Sequence, residues 1–366
     1  MKSKRILIVS SEFPPQPGGI GNHAYNLALY FSKHDYVVTV IADQRDVDPT
    51  EEVLFDENLP FVVKRIPIRS VRFLMYFQRI LITMQAFRQT DHVIATGKFS
   101  LWNVAFCSLL FKRNTMAVIH GTEVNFKSAA LRKSIDLSLK RFDSIVAVSS
   151  YTKQLVQHLK KDIQVIPNGI DLNHWQAHKL VKCDLKGSPV ITTVGRVSSR
   201  KGQLEVIKLL PELKKHYPNI DYHCFGIPTE ADAFMEQAKE LGVENEVHFH
   251  GAVDDKTLKE GLLATDVFVM LSSESETGDV EGFGIAILEA NVMGVPAIGA
   301  KGCGIADAIL DGKTGFLVNT HSVLEFQQAL EHLLTNKDSY SQSAKSWAVS
   351  HSWDVIIKKY IEMLEA

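Results

Sequence analysis

Residues 190–203 read VITTVGRVSSRKGQ, a β-branched run that ends at a glycine and leads into a helical pattern. The run Val190 to Val194 has the length of a buried strand. Arg196 and Lys201 follow it in one strand-to-helix loop. Because ligands of parallel sheets bind at the carboxyl ends of strands, this guanidinium and ammonium favour a diphosphate-binding loop. A solvated basic loop is the alternative interpretation of the stretch taken alone.

The same strand-to-helix unit recurs along the chain. Apolar runs of strand length alternate with helix-length segments, which is typical of α/β proteins with doubly wound parallel sheets. The first series of predicted strands covers residues 5–10, 37–42, 61–66, 92–96, 116–120, 144–148 and 163–166. The second series covers residues 190–194, 222–225, 247–249, 267–271 and 296–298. We therefore predict two Rossmann-like domains that face each other across a cleft.

The length of the chain agrees with this division. A chain of 366 residues with 45% hydrophobic side chains is too long for one compact core and suits two α/β domains. The sequence PNGID at residues 167–171 separates the two strand series. We predict a first domain over residues 1–168 and a second over residues 169–351, followed by a helix with apolar spacing from Trp353 to Leu364.

Composition indicates a cytoplasmic protein. The four cysteines have no CxxC or Cys/His ligand spacing, so we predict neither a disulfide framework nor a zinc site. The first ten residues contain only four consecutive apolar ones, which is shorter than the core of a signal peptide. No stretch approaches the roughly 18 apolar residues that a membrane span needs.

The two halves of the chain carry opposite charge. Residues 1–168 hold 22 Lys and Arg against 14 Asp and Glu, and residues 169–366 hold 18 against 28. Part of the basic excess surrounds the apolar segments 73–77 and 80–84: Lys64, Arg65, Arg69, Arg72, Arg79 and Arg88. These residues fit a basic amphipathic helix that binds an anionic membrane peripherally at its inner face, or an ordinary helix packed on a sheet with its cations in water. No basic run is interleaved with aromatic residues as in a nucleic-acid-binding module, so we expect no nucleic-acid partner.

Two carboxylates flank the start of another predicted helix. After the strand at 267–271, an acidic stretch leads to Glu281 and the residues 282–284, and Glu289 follows within an apolar helix. Eight helical residues rise roughly 12 Å, which is near the span of a sugar diphosphate. One carboxylate can accept from sugar hydroxyls and the other from ribose hydroxyls, while the helix N-terminus meets the phosphates. The alternative is a helix-start carboxylate and an unrelated surface residue.

Two further motifs end predicted strands of the first domain. Gly18 and Gly19 precede a helical pattern, where adjacent glycines let backbone N–H groups approach an anion, although many such turns are only structural. His120 ends the strand at 116–120 and is followed by Gly121. A histidine at such a strand end can hydrogen-bond a sugar oxygen, whereas a lone histidine is otherwise structural.

The motifs, taken in order, resemble family 4 of the glycosyltransferases, which has the two-domain GT-B fold, over essentially the whole chain. They are Gly18-Gly19, HGTE at 120–123, PNGID at 167–171, the loop 195–202, E-x7-E at 281–289 and TGFLV at 314–318. The resemblance implies sugar transfer with retention at the anomeric carbon and without a metal or other cofactor. It also implies a first domain that binds the acceptor, a second that binds the nucleotide sugar, and a last helix, 352–366, that crosses back to the first domain.

The resemblance also implies a role for each candidate site residue. Arg196 and Lys201 bind the donor diphosphate, and His120 and Glu281 contact the transferred sugar; these four are the implied catalytic residues. The implied donor-binding residues are Gly18 or Gly19 near the phosphates, Gly282, Phe283 and Gly284 through their backbone, and Glu289 at the ribose. No covalent nucleophile stands out, so the acceptor is expected to attack from the face of the leaving group.

The loop before Glu281 bears on the donor. It is longer than in many members of the family and contains DVEG at 279–282, similar to mannosyltransferases that use GDP-mannose for lipid-linked acceptors. This favours GDP-mannose and leaves UDP-sugars open, with a saccharide or lipid-linked acceptor in surface glycan or glycolipid synthesis. The alternatives are a nucleotide-sugar 2-epimerase of the same fold and a non-catalytic nucleotide-sugar-binding subunit. A phosphorylase with pyridoxal phosphate is disfavoured because the chain is short for that class.

Overall fold

The chain forms two compact units. The computed structural model describes residues 4–175, 180–275 and 278–365, so positions 276 and 277 of the acidic stretch lie outside the described residues. The first unit comprises Met1–Gly169 and Trp353–Ala366, and the second comprises Ile170–Ser352.

The first unit is built on a seven-stranded parallel sheet. Its strands are β1 (Arg5–Ser10), β2 (Val37–Asp43), β3 (Val62–Ile66), β4 (His92–Thr96), β5 (Asn114–Ile119), β6 (Ser144–Ala147) and β7 (Ile163–Val165). They lie in the order β3-β2-β1-β4-β5-β6-β7. The central strand β1 is buried from Ile6 to Val9, as expected for a parallel strand covered by helices on both faces.

Seven helices belong to the described part of this first unit. They are α1 (Gly19–Lys33), α2 (Thr50–Glu57), α3 (Arg72–Phe87), α4 (Lys98–Cys107), α5 (Ala129–Leu139), α6 (Ser150–Leu155) and α14 (Trp353–Glu365). The terminal helix α14 contacts α1 and buries the side chains of Trp353 and Tyr360. No helix among the described residues has both the length and the apolarity to cross a membrane.

The second unit has a six-stranded parallel sheet. Its strands are β8 (Val190–Val194), β9 (Asp221–Phe225), β10 (Val247–Gly251), β11 (Val267–Met270), β12 (Ala297–Ala300) and β13 (Gly315–Val318), in the order β10-β9-β8-β11-β12-β13. Its helices are α7 (Leu172–Trp175), α8 (Gln203–His216), α9 (Ala231–Glu240), α10 (Asp255–Ala264), α11 (Ile285–Val292), α12 (Val323–Thr335) and α13 (Lys337–Ser350). Helices α9, α11 and α12 contact strands of this sheet.

Both sheets reverse their strand order at one point, between β1 and β4 in the first unit and between β8 and β11 in the second. In doubly wound sheets, ligands bind outside the carboxyl ends of the strands at such a point. The predicted α/β class with two doubly wound parallel sheets is confirmed. All twelve predicted strands are present with bounds that differ by at most two residues, and β13 is a strand that the sequence did not predict.

Candidate functional site

The loop that bears the predicted diphosphate-binding residues is fixed to the neighbouring strand end. It follows β8 and closes in a 3-10 turn, Ser199–Lys201. Gly202 ends the turn with a φ of 82°, and a Cβ atom there would lie 2.1 Å from the carbonyl oxygen of Leu271, which follows β11. Only glycine fits both the left-handed backbone and this contact. The close approach holds Lys201 beside the chain that leads to Glu281.

Glu281 accepts hydrogen bonds from two cations through a single carboxylate oxygen. Its Oε2 lies 2.6 Å from Lys201 Nζ and 2.7 Å from Arg200 Nη1, and all three side chains are largely buried. The structure therefore brings together Lys201 and Glu281, which lie 80 residues apart in the sequence. Arg200 was not predicted as a site residue, although its position directly before Lys201 in the basic loop was a signal.

Charge determines the protonation state of Glu281. Burial alone would raise the pKa of this carboxyl, but the charges and hydrogen bonds of Lys201 and Arg200 outweigh burial and lower the pKa to about 2. The group of three therefore carries one net positive charge. Arg196 adds a further cation: it is exposed and has no ion-pair partner within the described residues of this unit. The excess positive charge suits a doubly charged phosphate ligand.

The residues that follow Glu281 lead into helix α11. The helix begins at Ile285 after Gly284, whose φ is 84°. Gly304 packs against the backbone of this turn. Its N–H donates to the Glu281 carbonyl at 3.0 Å, and a Cβ atom there would lie 2.1 Å from the Gly282 carbonyl oxygen. The side chain of Phe283 is buried in the unit. Phe283 can therefore contact a donor only through its backbone.

The distance between the two carboxylates cannot be derived from helical rise. Only residues 285–292 form α11, so half of the steps from Glu281 to Glu289 lie in the loop, and the sequence-based value of roughly 12 Å is wrong in its premise. Lys201 affects both carboxyls, because its charge lowers the pKa of Glu289 as well as that of Glu281.

Glu289 has an environment opposite to that of Glu281. It is half-buried, and among the described residues of its unit it has no hydrogen-bond or ion-pair partner. Burial raises its pKa to about 7, although the charge of Lys201 acts in the other direction. A half-buried carboxyl without a partner favours a ligand that supplies hydroxyl donors.

In the first unit, the predicted glycine pair begins helix α1. Gly18 caps the helix and its carbonyl accepts from the Asn22 N–H at 2.9 Å, while Gly19 is the first helical residue. A Cβ atom at Gly18 would lie 2.5 Å from Glu12 Oε2, whereas one at Gly19 would have no atom within 4 Å. The helix N-terminus is therefore open at Gly19.

His120 follows β5 directly and is buried. Its Nε2 lies 2.9 Å from Thr96 Oγ1 at the end of the adjacent strand β4, and its backbone N–H donates to Glu123 Oε1. Burial lowers the pKa of His120 to about 4, so the ring is neutral at physiological pH. The two strand ends thus bring together one imidazole and one hydroxyl.

Two further buried groups adjoin His120 and were not identified as site residues from the sequence. Glu123 is fully buried, its Oε2 has no hydrogen-bond partner in the described chain, and burial raises its pKa to about 7. The ring of His23 stands nearly perpendicular to that of His120 with centroids 4.9 Å apart, and its Nε2 lies 3.1 Å from the Tyr360 hydroxyl. The HGTE motif contained Glu123, but nothing in the sequence indicated His23.

Two of the six basic residues around α3 contradict the expectation that these cations lie in water. Arg79 is buried and pairs with Asp43, and Arg65 of β3 pairs with Glu52 at 3.1 Å and Asp56 at 2.8 Å with only 11% of its side chain exposed. These two arginines are structural because each compensates buried carboxylates. Lys64, Arg69 and Arg88 are exposed, and the side chain of Arg72 lies outside what the structure describes.

The outward face of α3 is apolar instead. Large side chains on it and just before it are between 39% and 72% exposed: Val71, Phe73, Leu74, Tyr76, Phe77 and Leu81. We call these six residues the α3 patch. A contiguous exposed apolar patch beside cations marks a surface that contacts another molecule or a membrane.

Comparison with known proteins identifies the family. A family model described as Glycosyl transferases group 1 matches residues 182–347, and one described as Glycosyltransferase Family 4 matches residues 17–174. A GDP-mannose-dependent alpha-(1-6)-phosphatidylinositol monomannoside mannosyltransferase of Mycobacterium tuberculosis is 24% identical over 98% of both chains. A glycogen synthase of the same organism is 24% identical over 93% of this chain and 89% of its own.

Solved structures agree on the fold. The Anabaena protein HepE, determined in complex with UDP and glucose, has a TM-score of 0.77 at 20% identity and 99% coverage of both chains. A sucrose-phosphate synthase from Thermosynechococcus elongatus has a TM-score of 0.78 at 17% identity, with 99% of this chain and 98% of its own covered. The chain therefore has the GT-B fold and belongs to glycosyltransferase family 4, whose reaction is sugar transfer from a nucleotide sugar.

Proposed function

We propose that the chain transfers mannose from GDP-mannose, with retention, to a saccharide or lipid-linked acceptor in surface glycan or glycolipid synthesis. The proposal rests mainly on the ion pairs of Glu281 with Lys201 and Arg200 before the N-terminus of α11. The choice of mannose rests on the DVEG loop and on the GDP-mannose-dependent relative. Membership in a transferase family supports transfer over the 2-epimerase and non-catalytic alternatives.

The second unit is proposed to hold the donor. Its diphosphate competes with Glu281 for the Lys201 ammonium, and Arg196 and the backbone N–H groups of 282–284 complete the anion site. Glu281 then accepts from hydroxyls of the transferred sugar. Glu289 accepts from the ribose hydroxyls, which would give this half-buried carboxyl the partners that it lacks.

The proposed chemistry is mainly electrostatic. The bond from the anomeric carbon to the diphosphate oxygen breaks, the acceptor oxygen bonds to that carbon from the same face, and the departing phosphate takes the acceptor proton. Lys201, Arg196 and the α11 N-terminus stabilise the negative charge on the leaving group. Two cations bind the carboxylate of Glu281 and lower its nucleophilicity, which suits a role in orienting the sugar rather than in forming a covalent intermediate.

The first unit is proposed to bind the acceptor. His120 contacts the transferred sugar as a neutral hydrogen-bonding group, because a ring whose pKa is about 4 cannot act as a cation at neutral pH. Gly19 leaves the start of α1 open, which supports an approach of donor phosphates to Gly18 or Gly19.

A transfer assay tests this function. We expect the purified chain to move mannose from GDP-mannose to lipid-linked or saccharide acceptors, with or without EDTA, and NMR to show the donor's anomeric configuration in the product. Glu281→Ala should abolish transfer, whereas the control Glu205→Ala, whose carboxylate pairs with Lys208 in the same unit, should retain it. Transfer only from UDP-sugars would refute GDP-mannose as the donor but not transfer itself. Full activity of Glu281→Ala would refute the assigned site.

We further propose that the α3 patch docks on an anionic membrane, from which a lipid-linked acceptor would be reached. The exposed aromatic and aliphatic side chains fit the boundary between headgroups and acyl chains. The exposed cations Lys64, Arg69 and Arg88 fit the negative headgroups, and the surplus of basic residues in this half of the chain acts in the same direction.

Vesicle sedimentation tests the membrane proposal with matched variants. We expect binding to vesicles that contain phosphatidylglycerol, weakened by salt, and little binding to phosphatidylcholine alone. Leu74→Ser/Leu81→Ser should weaken binding at least about tenfold, because it removes apolar area from the patch. Leu137→Ser/Leu324→Ser changes two leucines of similar exposure elsewhere and should have no effect. Equal loss in both variants, or no binding by the unmodified chain, would contradict the proposal.

A further inference from the structure

Three potential metal ligands lie on one face of the second sheet at its β10 edge. His223 of β9 is the register partner of His248 of β10, and Asp221 precedes His223 by two residues. Because side chains alternate along a strand, these three project from the same face. One ligand atom from each residue lies within 4.8 Å of the other two. Among the described residues, this group combines two imidazoles with a carboxylate in one place.

The distance between His248 and Asp221 fits coordination better than a hydrogen bond. His248 Nε2 lies 3.4 Å from Asp221 Oδ1, yet this buried nitrogen has no hydrogen-bond partner in the described chain. Two atoms bound about 2.0–2.1 Å from a tetrahedral zinc ion lie about 3.3 Å apart. His248 Nε2 and Asp221 Oδ1 therefore have the separation of two ligands of one zinc ion, although they do not form a hydrogen bond with each other.

The ring of His223 is already held in place. Its Nε2 lies 2.9 Å from the Lys186 carbonyl oxygen and its Nδ1 lies 3.0 Å from His250 Nε2. A backbone carbonyl that accepts from one ring nitrogen, as that of Lys186 does here, is a usual support of a metal-binding histidine. The ring also stacks on His248 with centroids 4.6 Å apart. Metal binding would replace one of the two hydrogen bonds of His223.

We propose that Asp221, His223 and His248 bind one Zn²⁺ ion, with water as the fourth ligand. Two imidazoles and a carboxylate suit zinc among the common divalent metals. The ion would tie the edge strand β10 to β9. The donor-binding residues proposed above follow β8 and β11, so the ion has a structural role and takes no part in sugar transfer. This site is independent of the proposed function.

Calorimetric titration of the untagged, chelator-treated chain with Zn²⁺ tests the site. We expect one ion per chain and a higher melting temperature in its presence. Asp221→Asn and His248→Gln should each weaken binding at least about tenfold through loss of one protein ligand. Asp221→Asn is nearly isosteric and removes no side-chain hydrogen bond among the described residues, so it tests the site even if the other variant does not fold.

His321→Gln is the matched control. This exposed histidine pairs with the Glu205 carboxylate at 3.1 Å without a second imidazole, so zinc binding should be unchanged. EDTA should lower the melting temperature and leave the initial rate of transfer unaltered at temperatures where the chain stays folded. Absence of saturable 1:1 binding, or wild-type affinity in Asp221→Asn, would overturn the site. Either result leaves the proposed transfer reaction untouched.

Discussion

The strand ends of the two sheets differ in charge although both are buried. In the second unit, Lys201 and Arg200 keep Glu281 ionised with a pKa of about 2. In the first unit, burial lowers the pKa of His120 to about 4, so the histidine stays neutral, and it raises the pKa of Glu123 to about 7 despite the opposing charge of Lys98. Burial acts in both places, and the nearby charges decide the result.

This difference separates the proposed tasks of the two units. A site with one surplus positive charge and a helix N-terminus favours phosphate groups. The neutral His120 ring and the Thr96 hydroxyl beside it favour sugar hydroxyls, which carry no charge. Glu289 resembles the first unit in its raised pKa although it lies in the second, which agrees with a ribose ligand. Substitutions of Lys201, Glu281, Glu289 and His120 test this difference between the units.

Among the four residues substituted below, Lys201 should show the largest effect. Lys201→Ala should lower kcat/KM about 100- to 1,000-fold, because a preorganised positive group at the leaving diphosphate is lost. Steady-state kinetics measure this loss. The control Lys208→Ala removes an exposed lysine paired with Glu205 in the same unit and should change kcat/KM by less than about twofold. Similar kinetics for both variants would mean that Lys201 does not act on the donor.

Glu281→Gln should destabilise the chain in a pH-dependent manner. The folded pKa of about 2 is below the usual 4.5, so the ionised carboxyl stabilises the fold above pH 4.5 and this contribution disappears as the pH falls towards 2. The free energy of unfolding by urea should fall by on the order of 3 kcal/mol at pH 7. The gap to wild type should narrow below pH 4.5.

The control for this prediction is Glu212→Gln. Its carboxylate pairs with Lys215 at 2.7 Å, and both side chains are more than half exposed. The expected change is below about 1 kcal/mol at every pH. A gap for Glu281→Gln that stays constant from pH 7 to pH 3.5 would contradict the lowered pKa.

Glu289→Gln should become more stable relative to wild type as the pH rises, whereas Glu281→Gln should become less stable relative to wild type. Because the folded pKa of Glu289 is about 7, wild type loses stability as the pH rises from 4.5 through 7, and the uncharged amide does not. The melting temperature of the variant relative to wild type should therefore rise between pH 5 and pH 8, while KM for the donor increases. The control Glu236→Gln, an exposed partner of Lys239, should show neither change. A pH-independent difference would refute the raised pKa.

His120→Asn should have the smallest effect. Loss of one neutral hydrogen bond should lower kcat/KM about tenfold. Since the pKa of His120 is about 4, the pH dependence of kcat/KM between pH 5.5 and pH 8 should keep its shape. If wild type showed a step in kcat/KM near pH 6.5 and the variant did not, His120 would titrate between pH 5.5 and pH 8, which would contradict its lowered pKa. His321→Asn serves as the surface control.

Most of the fold could be predicted because parallel strands buried on both faces appear as continuous apolar runs. The strand β13 was missed because its four residues begin with glycine and look like a loop motif. The junction of Lys201 and Glu281 was also predictable, since both follow neighbouring strands of one sheet.

The side-chain partners could not be predicted in the same way. Arg79 pairs with Asp43, 36 residues away, and Arg65 with Glu52, so their burial depends on tertiary contacts that periodicity does not reveal. Likewise, the turn that places Arg200 against Glu281 and leaves Arg196 exposed is a local backbone geometry. His23 joins His120 only because α1 and β5 meet in space.

The affinity for nucleoside diphosphates shows whether the loop of Lys201 binds the donor phosphates. Calorimetry should compare GDP and UDP with guanosine and uridine, on wild type and on Lys201→Ala. We predict that wild type binds at least one diphosphate far more tightly than its nucleoside, and that Lys201→Ala loses most of this difference while binding the nucleoside equally. A variant that keeps the full advantage of the diphosphate would contradict the assignment of the phosphates to the loop of Lys201 and Glu281.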